Sequence, residues 1–154
     1  MAHDIDSRLR AMGLTLPDAP APAANYVPFV ISGGLLHVSG QISQGPDGLI
    51  TGRLGETMSI EQGAAAAQAC ALSLLAQVRA ACGGDWARFS RVVKLTGFVN
   101  SAPGFTDQPK VVNGASDLMV AALGEAGRHA RSAVGVTALP LGVAVEIEGL
   151  FELA

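Results

Sequence analysis

The stretch from Ser59 to Gly84 allows one local structure. Ser59-Ile60-Glu61-Gln62 places a serine three positions before a glutamine. In that arrangement each side chain satisfies a backbone N–H left free at a helix start. An alanine run follows at 64–67, and Leu72, Leu75 and Val78 continue an apolar stripe at helical spacing. Gly83-Gly84 closes the segment. The pattern predicts a helix over 59–81, and its small side chains allow close approach to a sheet.

The flanking segments supply the strands of that sheet. Tyr26 to Ile31 and Leu35 to Ile42 read as two strands, with Gly33-Gly34 between them as a tight hairpin turn. Gly45-Pro46-Asp47-Gly48 is a further turn, followed by a polar loop to Gly55. Arg91 to Val99 is rich in β-branched residues and reads as a strand. A second helix is expected from a Thr106 cap, with Pro109 tolerated in its first turn, to Leu123, closed by Gly124. Two last strands fall near 131–137 and 143–153. The second of them alternates, with Val143, Val145 and Ile147 on one face and Ala144, Glu146 and Glu148 on the other.

Before all of these, residues 4–12 read as a short helix that starts near Asp4 or Asp6 and ends at Gly13. Pro17, Pro20 and Pro22 make 14–25 an extended arm. The order ββ-α-β-α-ββ defines an α+β fold: a mixed sheet with two helices on one face and antiparallel first and last strand pairs. No third helix remains for the other face. Hydrophobic residues make up 49% of the 154 and charged residues 15%, so the bare face is expected to meet a second copy. The organisation is an extension and arm at 1–23 and one domain at 24–154.

Several function classes are disfavoured. The net charge is -3 and no block of Lys or Arg is present, which argues against nucleic acid as a partner. Cys70 and Cys82 stand twelve residues apart in one expected helix, about 18 Å at 1.5 Å per residue. They cannot bridge each other, and reduced thiols point to a cytoplasmic protein. Three scattered histidines without a Cys-x-x-Cys give no metal-ligand pattern. Met1 to Arg10 has no apolar signal core, and no uninterrupted apolar run is of membrane-spanning length.

Near the C-terminus, Arg131-Ser132-Ala133-Val134-Gly135-Val136, then Leu139-Pro140, then Val145-Glu146-Ile147-Glu148, form an ordered set. With Tyr26-Val27, Ser39-Gly40-Gln41-Ile42 and Val112-Asn113, it resembles the signature of the reactive-intermediate deaminase (RidA/YjgF) family over residues 24–153. The resemblance implies a chorismate-mutase-like fold and a homotrimer with three clefts between subunits. It further implies hydrolysis of 2-imino acids and their enamine tautomers to 2-oxo acids and ammonia, with no metal or organic cofactor.

On that resemblance Arg131 is the residue that clamps the substrate carboxylate, and its planar fork of donors suits the task. Glu146 matches the glutamate that holds or activates the attacking water. Tyr26 would wall the cleft, and Ser39 and Gly40 match a strand lining it, with Gln41 supporting that strand. Asn113 would donate a hydrogen bond into the cleft. Ala133 stands where the family often has cysteine. Other departures mark a divergent branch: the longer N-terminal extension, Ala24-Asn25 in place of Gly-Pro, and His129 in place of proline or alanine. His129 is read as a loop histidine without a role. Three other readings stay open: a non-catalytic module binding small carboxylates, a ribonuclease, and, on fold alone, a chorismate mutase.

Overall fold

The computed structural model describes residues 4–154, so the first three residues of the expected extension lie outside it. Helix α1 spans Ile5–Ala11, capped by Asp4, whose Oδ1 accepts the Ser7 N–H at 3.2 Å. Ile5 and Leu9 are buried in the main core, and α1 packs against the second long helix. Trp86 donates its indole N–H to Asp6 Oδ2 at 3.3 Å. The start of the extension is therefore part of the packed unit.

Strands β1 (Phe29–Ser32) and β2 (Leu35–Ile42) form the expected hairpin. Gly33 and Gly34 carry φ of 59° and 78°, and two successive positive φ angles give the turn whose twist matches the strands. The first strand starts at Phe29, not at Tyr26. Pro28 has no N–H to give a ladder, so pairing begins after it. The Gly45–Gly48 turn joins a two-stranded ribbon of β3 (Gln44–Gly45) and β4 (Gly48–Leu49).

Helix α2 runs Ile60–Ala81 behind the Ser59 cap. Gln62 N–H reaches Ser59 Oγ at 3.1 Å, and Ser59 N–H reaches Gln62 Oε1 at 2.9 Å. The helix is long and apolar enough by composition to cross a bilayer, yet 61% of its apolar window is buried inside the fold. Strand β5 is Phe89–Asn100, and helix α3 is Gln108–Leu123. The residue capping α3 is Asp107, not Thr106, and it makes no side-chain cap bond. Gly124 ends this helix at φ 64°.

Strands β6 (Ala130–Val136) and β7 (Val145–Leu153) complete the sheet, whose order is β1-β2-β7-β5-β6. The first strand pair is antiparallel as expected, but the last two strands are not paired at all. The α3 crossover returns the chain beside β5 in the same direction, so β6 pairs parallel with β5. That leaves the other edge of β5 for β7, which runs antiparallel to both β5 and β2. Leu36, Val38, Val92, Leu95, Val99, Val145, Ile147 and Phe151 point to one face and are buried beneath α2 and α3. By register, the opposite face carries Thr96, Phe98, Val134, Glu146, Glu148 and Leu150, and no helix covers it. The expected alternation along 143–148 holds only from Val145. Ala144 is also fully buried, because its N–H binds Ile50 O at 3.0 Å and its carbonyl accepts Asn100 N–H at 2.9 Å.

Candidate functional site

Arg131 lies opposite Leu95 on the outermost strand, β6. Leu95 points toward the helices, so the arginine does too. At the sheet edge there is room for its guanidinium to lie along α3. Nη1 donates to Asn113 Oδ1 at 2.8 Å and to Ser116 Oγ at 3.2 Å, and Nη2 donates to Pro109 O at 3.4 Å. Both hydrogens of Nη1 are thus engaged. Nε has no hydrogen-bond partner among the described residues, and Nη2 keeps one hydrogen. The ion pairs among those residues are Arg53–Glu56, Lys110–Asp107 and Arg128–Glu125. Arg131 belongs to none of them. It is a half-buried cation held by neutral oxygens, with its Nε/Nη2 edge open.

Asn113 therefore contributes its carbonyl oxygen to the arginine, and only its amide N–H groups remain to reach a ligand. Ala133, paired with Gly97, lies on the same side two residues along β6. The depression beside Arg131, about 250 Å³, is lined by Asn113, Ser116, Val120, Arg128 and His129. His129, expected to have no role, has both ring nitrogens engaged: Nδ1 lies 2.6 Å from Gly127 O, and Nε2 lies 2.9 Å from Ser116 Oγ.

Glu146 lies on the opposite, uncovered face, where its neighbours across the ladder are Ile42 and Phe98. It borders a second concavity of about 810 Å³, shared with Tyr26, Ser39, Gly40, Gln41, Leu141 and Glu148. The ladder between β2 and β7 is irregular between Val38 and Gln41. There Gly40 lets the carboxylate lie against the backbone: a Cβ at this position would be 2.6 Å from Glu146 Oε1. Burial pushes the Glu146 carboxyl above the ordinary glutamate range, and the charge of Glu148 adds to the effect.

Two of the expected cleft residues also serve the local frame. Ser39 donates its hydroxyl to Val27 O at 2.8 Å, and Tyr26 Oη accepts the Ala23 N–H at 3.4 Å. Gln41 supports its strand as expected, donating to Ser39 O at 2.9 Å. The sequence reading missed Gln77, a buried amide within the apolar stripe of α2. It donates to Pro20 O at 2.7 Å and to Gln41 Oε1 at 3.5 Å. These bonds fix the arm, and residues 20–24 form a wall of the Glu146 concavity. Arg131 and Glu146 are thus on opposite faces of the sheet, in concavities that share no lining residue. Among the described residues no cluster of His, Cys, Asp and Glu suits a metal ion.

Residues 6–152 match the model of one family, described as YjgF/chorismate mutase-like, putative endoribonuclease. The chain belongs to this family. It is similar to Protein TCP17 of Trypanosoma cruzi, 52% identical over 151 residues, which are 97% of this chain and 94% of that protein. The crystal structure of Atu1372 from Agrobacterium tumefaciens, a protein of unknown function, matches with a TM-score of 0.91 and 48% identity over 97% of this chain and 92% of that one. RidA from an Antarctic Psychrobacter species matches with a TM-score of 0.59 and 30% identity, covering 88% of this chain and 94% of that one.

Proposed function

We propose that the protein hydrolyses 2-imino acids and their enamine tautomers to 2-oxo acids and ammonia, in clefts formed between three copies of the chain. One observation carries the reading: Arg131 is preoriented by three neutral acceptors, with no carboxylate partner and one bidentate edge left free. A carboxylate is the ligand such an edge fits best. The likeness to RidA supports the reaction class.

In this reading Arg131 of one copy holds the substrate carboxylate, and Glu146 of a second copy faces the adjacent C=N carbon. Their placement on opposite faces of one sheet suits a cleft shared between neighbours. Glu146 takes a proton from water as the oxygen attacks that carbon. With the imine protonated, this gives a neutral carbinolamine. Glu146 returns its proton to the amino nitrogen, the C–N bond breaks, and ammonia leaves as the hydroxyl gives up its proton to the carboxylate and becomes the carbonyl. A carboxyl held above the ordinary glutamate range is a stronger base than a free glutamate and returns the proton it takes. Imines react with water unaided, so positioning contributes much of the rate. The expected sites at Tyr26, Ser39 and Gly40 fall to the Glu146 side of the cleft, and Asn113 and Ala133 to the Arg131 side.

A non-catalytic binding role is the second reading, because one chain on its own presents Arg131 without Glu146. Ribonuclease action is disfavoured, since the Glu146 concavity holds two carboxylates and no cation. The deciding test is ammonia release from freshly generated 2-iminobutyrate. The Arg131→Ala protein is expected to lose at least about 100-fold in kcat/KM while keeping its thermal midpoint. Binding of 2-oxobutyrate that depends on Arg131, without turnover of several imino acids, would establish the binding role instead.

A further inference from the structure

From the hydrogen-bond directions around Arg131, we infer that His129 is a positioning residue. It acts through Ser116 to hold the guanidinium in the orientation that leaves the Nε/Nη2 edge open for a carboxylate. The inference rests on the reading above that Arg131 binds a carboxylate.

The directions follow from which atoms can donate. Gly127 O is a carbonyl and only accepts, so the 2.6 Å contact places a proton on His129 Nδ1. In the neutral ring Nε2 is then an acceptor, and the 2.9 Å contact makes Ser116 Oγ–H its donor. Ser116 Oγ has lone pairs left, and Arg131 Nη1 donates to it at 3.2 Å. The chain therefore runs in one sense, from Arg131 to Ser116 to His129, with Gly127 fixing the far end. A serine hydroxyl without an acceptor is free to rotate, and some of its orientations would turn its hydrogen toward the guanidinium. His129 removes that freedom.

The neutral ring that this arrangement needs is also the favoured one. Burial lowers the His129 pKa, and the nearby Arg131 charge lowers it further, against the opposing pull of the Gly127 carbonyl. Asn113 Oδ1 takes the other Nη1 hydrogen. The relay and Asn113 thus fix Nη1 together, and the ligand is left the opposite edge.

Two measurements on the full chain test this. The first is the 15N spectrum of His129, expected to show a protonated Nδ1 and an unprotonated, accepting Nε2 at neutral pH. An Nε2–H ring would overturn the relay whether or not a ligand is found. The second is titration with 2-oxobutyrate of the unmodified protein and of His129→Ala, Ser116→Ala, the double variant and His129→Gln. Each alanine variant is expected to raise Kd by about three- to tenfold, the range of one hydrogen bond. The double variant should be no weaker than either single one, because both cut the same chain. His129→Gln, whose carbonyl can accept from Ser116, should recover most of the affinity. Independent effects that multiply in the double variant would overturn the inference, as would no effect in either. If 2-oxobutyrate binding does not depend on Arg131 at all, the functional reading itself fails, and the 15N result still decides the relay.

Discussion

A guanidinium that donates only to neutral oxygens keeps its whole charge for a ligand, and that is the state of Arg131. The resemblance marked Arg131 in the sequence, since the residues of that signature around it are close along the chain. Its supports were not marked. Ser116 and Pro109 reach it from a helix, and no local pattern announces a contact made across a crossover. Gln77 was hidden for a similar reason, because an amide inside an alanine-rich stripe reads as core. At Glu146 the environment gives a prediction in two parts. A carboxyl whose folded pKa is raised adds stability below its unfolded value, and that stability is lost as pH rises through the folded value. At pH 7 the ionised Glu146 therefore costs stability. Glu146→Gln should raise the thermal midpoint at pH 7, and the gain should vanish below about pH 4, where both forms are neutral. In the proposed imine hydrolysis, the same variant should lose the acid limb of the pH profile, a limb expected above the ordinary glutamate range. Gly40→Ala tests the seat of this carboxylate. Its new methyl would meet Oε1, so the activity should fall at least about tenfold with little loss of helical circular dichroism.

Element boundaries were readable wherever a specific local chemistry sets them. Ser59 with Gln62 fixes an end through two reciprocal bonds, Gly33-Gly34 through two positive φ angles and Gly124 through one, and each stands as expected. The first strand starts three residues after Tyr26 because Pro28 delays the pairing, and α3 is capped one residue after Thr106, by an aspartate whose side chain makes no cap bond. The pairing of β6 and β7 was misjudged for a different reason: sequence adjacency favours a hairpin, whereas the α3 crossover commits β6 to β5 first. The link between those strands holds one strained residue. Leu141 has φ 60° with a β-carbon, is 66% exposed and borders the Glu146 concavity. Such a conformation costs on the order of 1 kcal/mol or more and persists where something else needs the side chain. Leu141→Gly should therefore stabilise the isolated fold by about 0.5–1 kcal/mol in urea unfolding and weaken substrate binding or subunit association. A loss of stability would show that Leu141 packs within its own chain.

At the scale of the molecule, the uncovered sheet face is where three copies are proposed to meet. Val134 and Val30 are about half exposed there, at 44% and 52%, beside Thr96, Phe98 and Leu150. Placing a charge in that face should separate the copies without touching the core. Val134→Asp is expected to give a folded monomer by light scattering, with the proposed deaminase activity lost because the proposed cleft joins Arg131 of one copy to Glu146 of another. An active monomer would sink the shared-cleft reading. The sheet order has a consequence for how the chain is made. β7 is the last strand in chain order, yet it lies between β2 and β5 and joins them. Until it emerges from the ribosome, the β1–β2 hairpin and the β5–α3–β6 unit are two separate halves with open inner edges. Synthesis proceeds from the N-terminus, so the nascent protein must wait with both halves exposed, and the closing strand is also the one that carries Glu146.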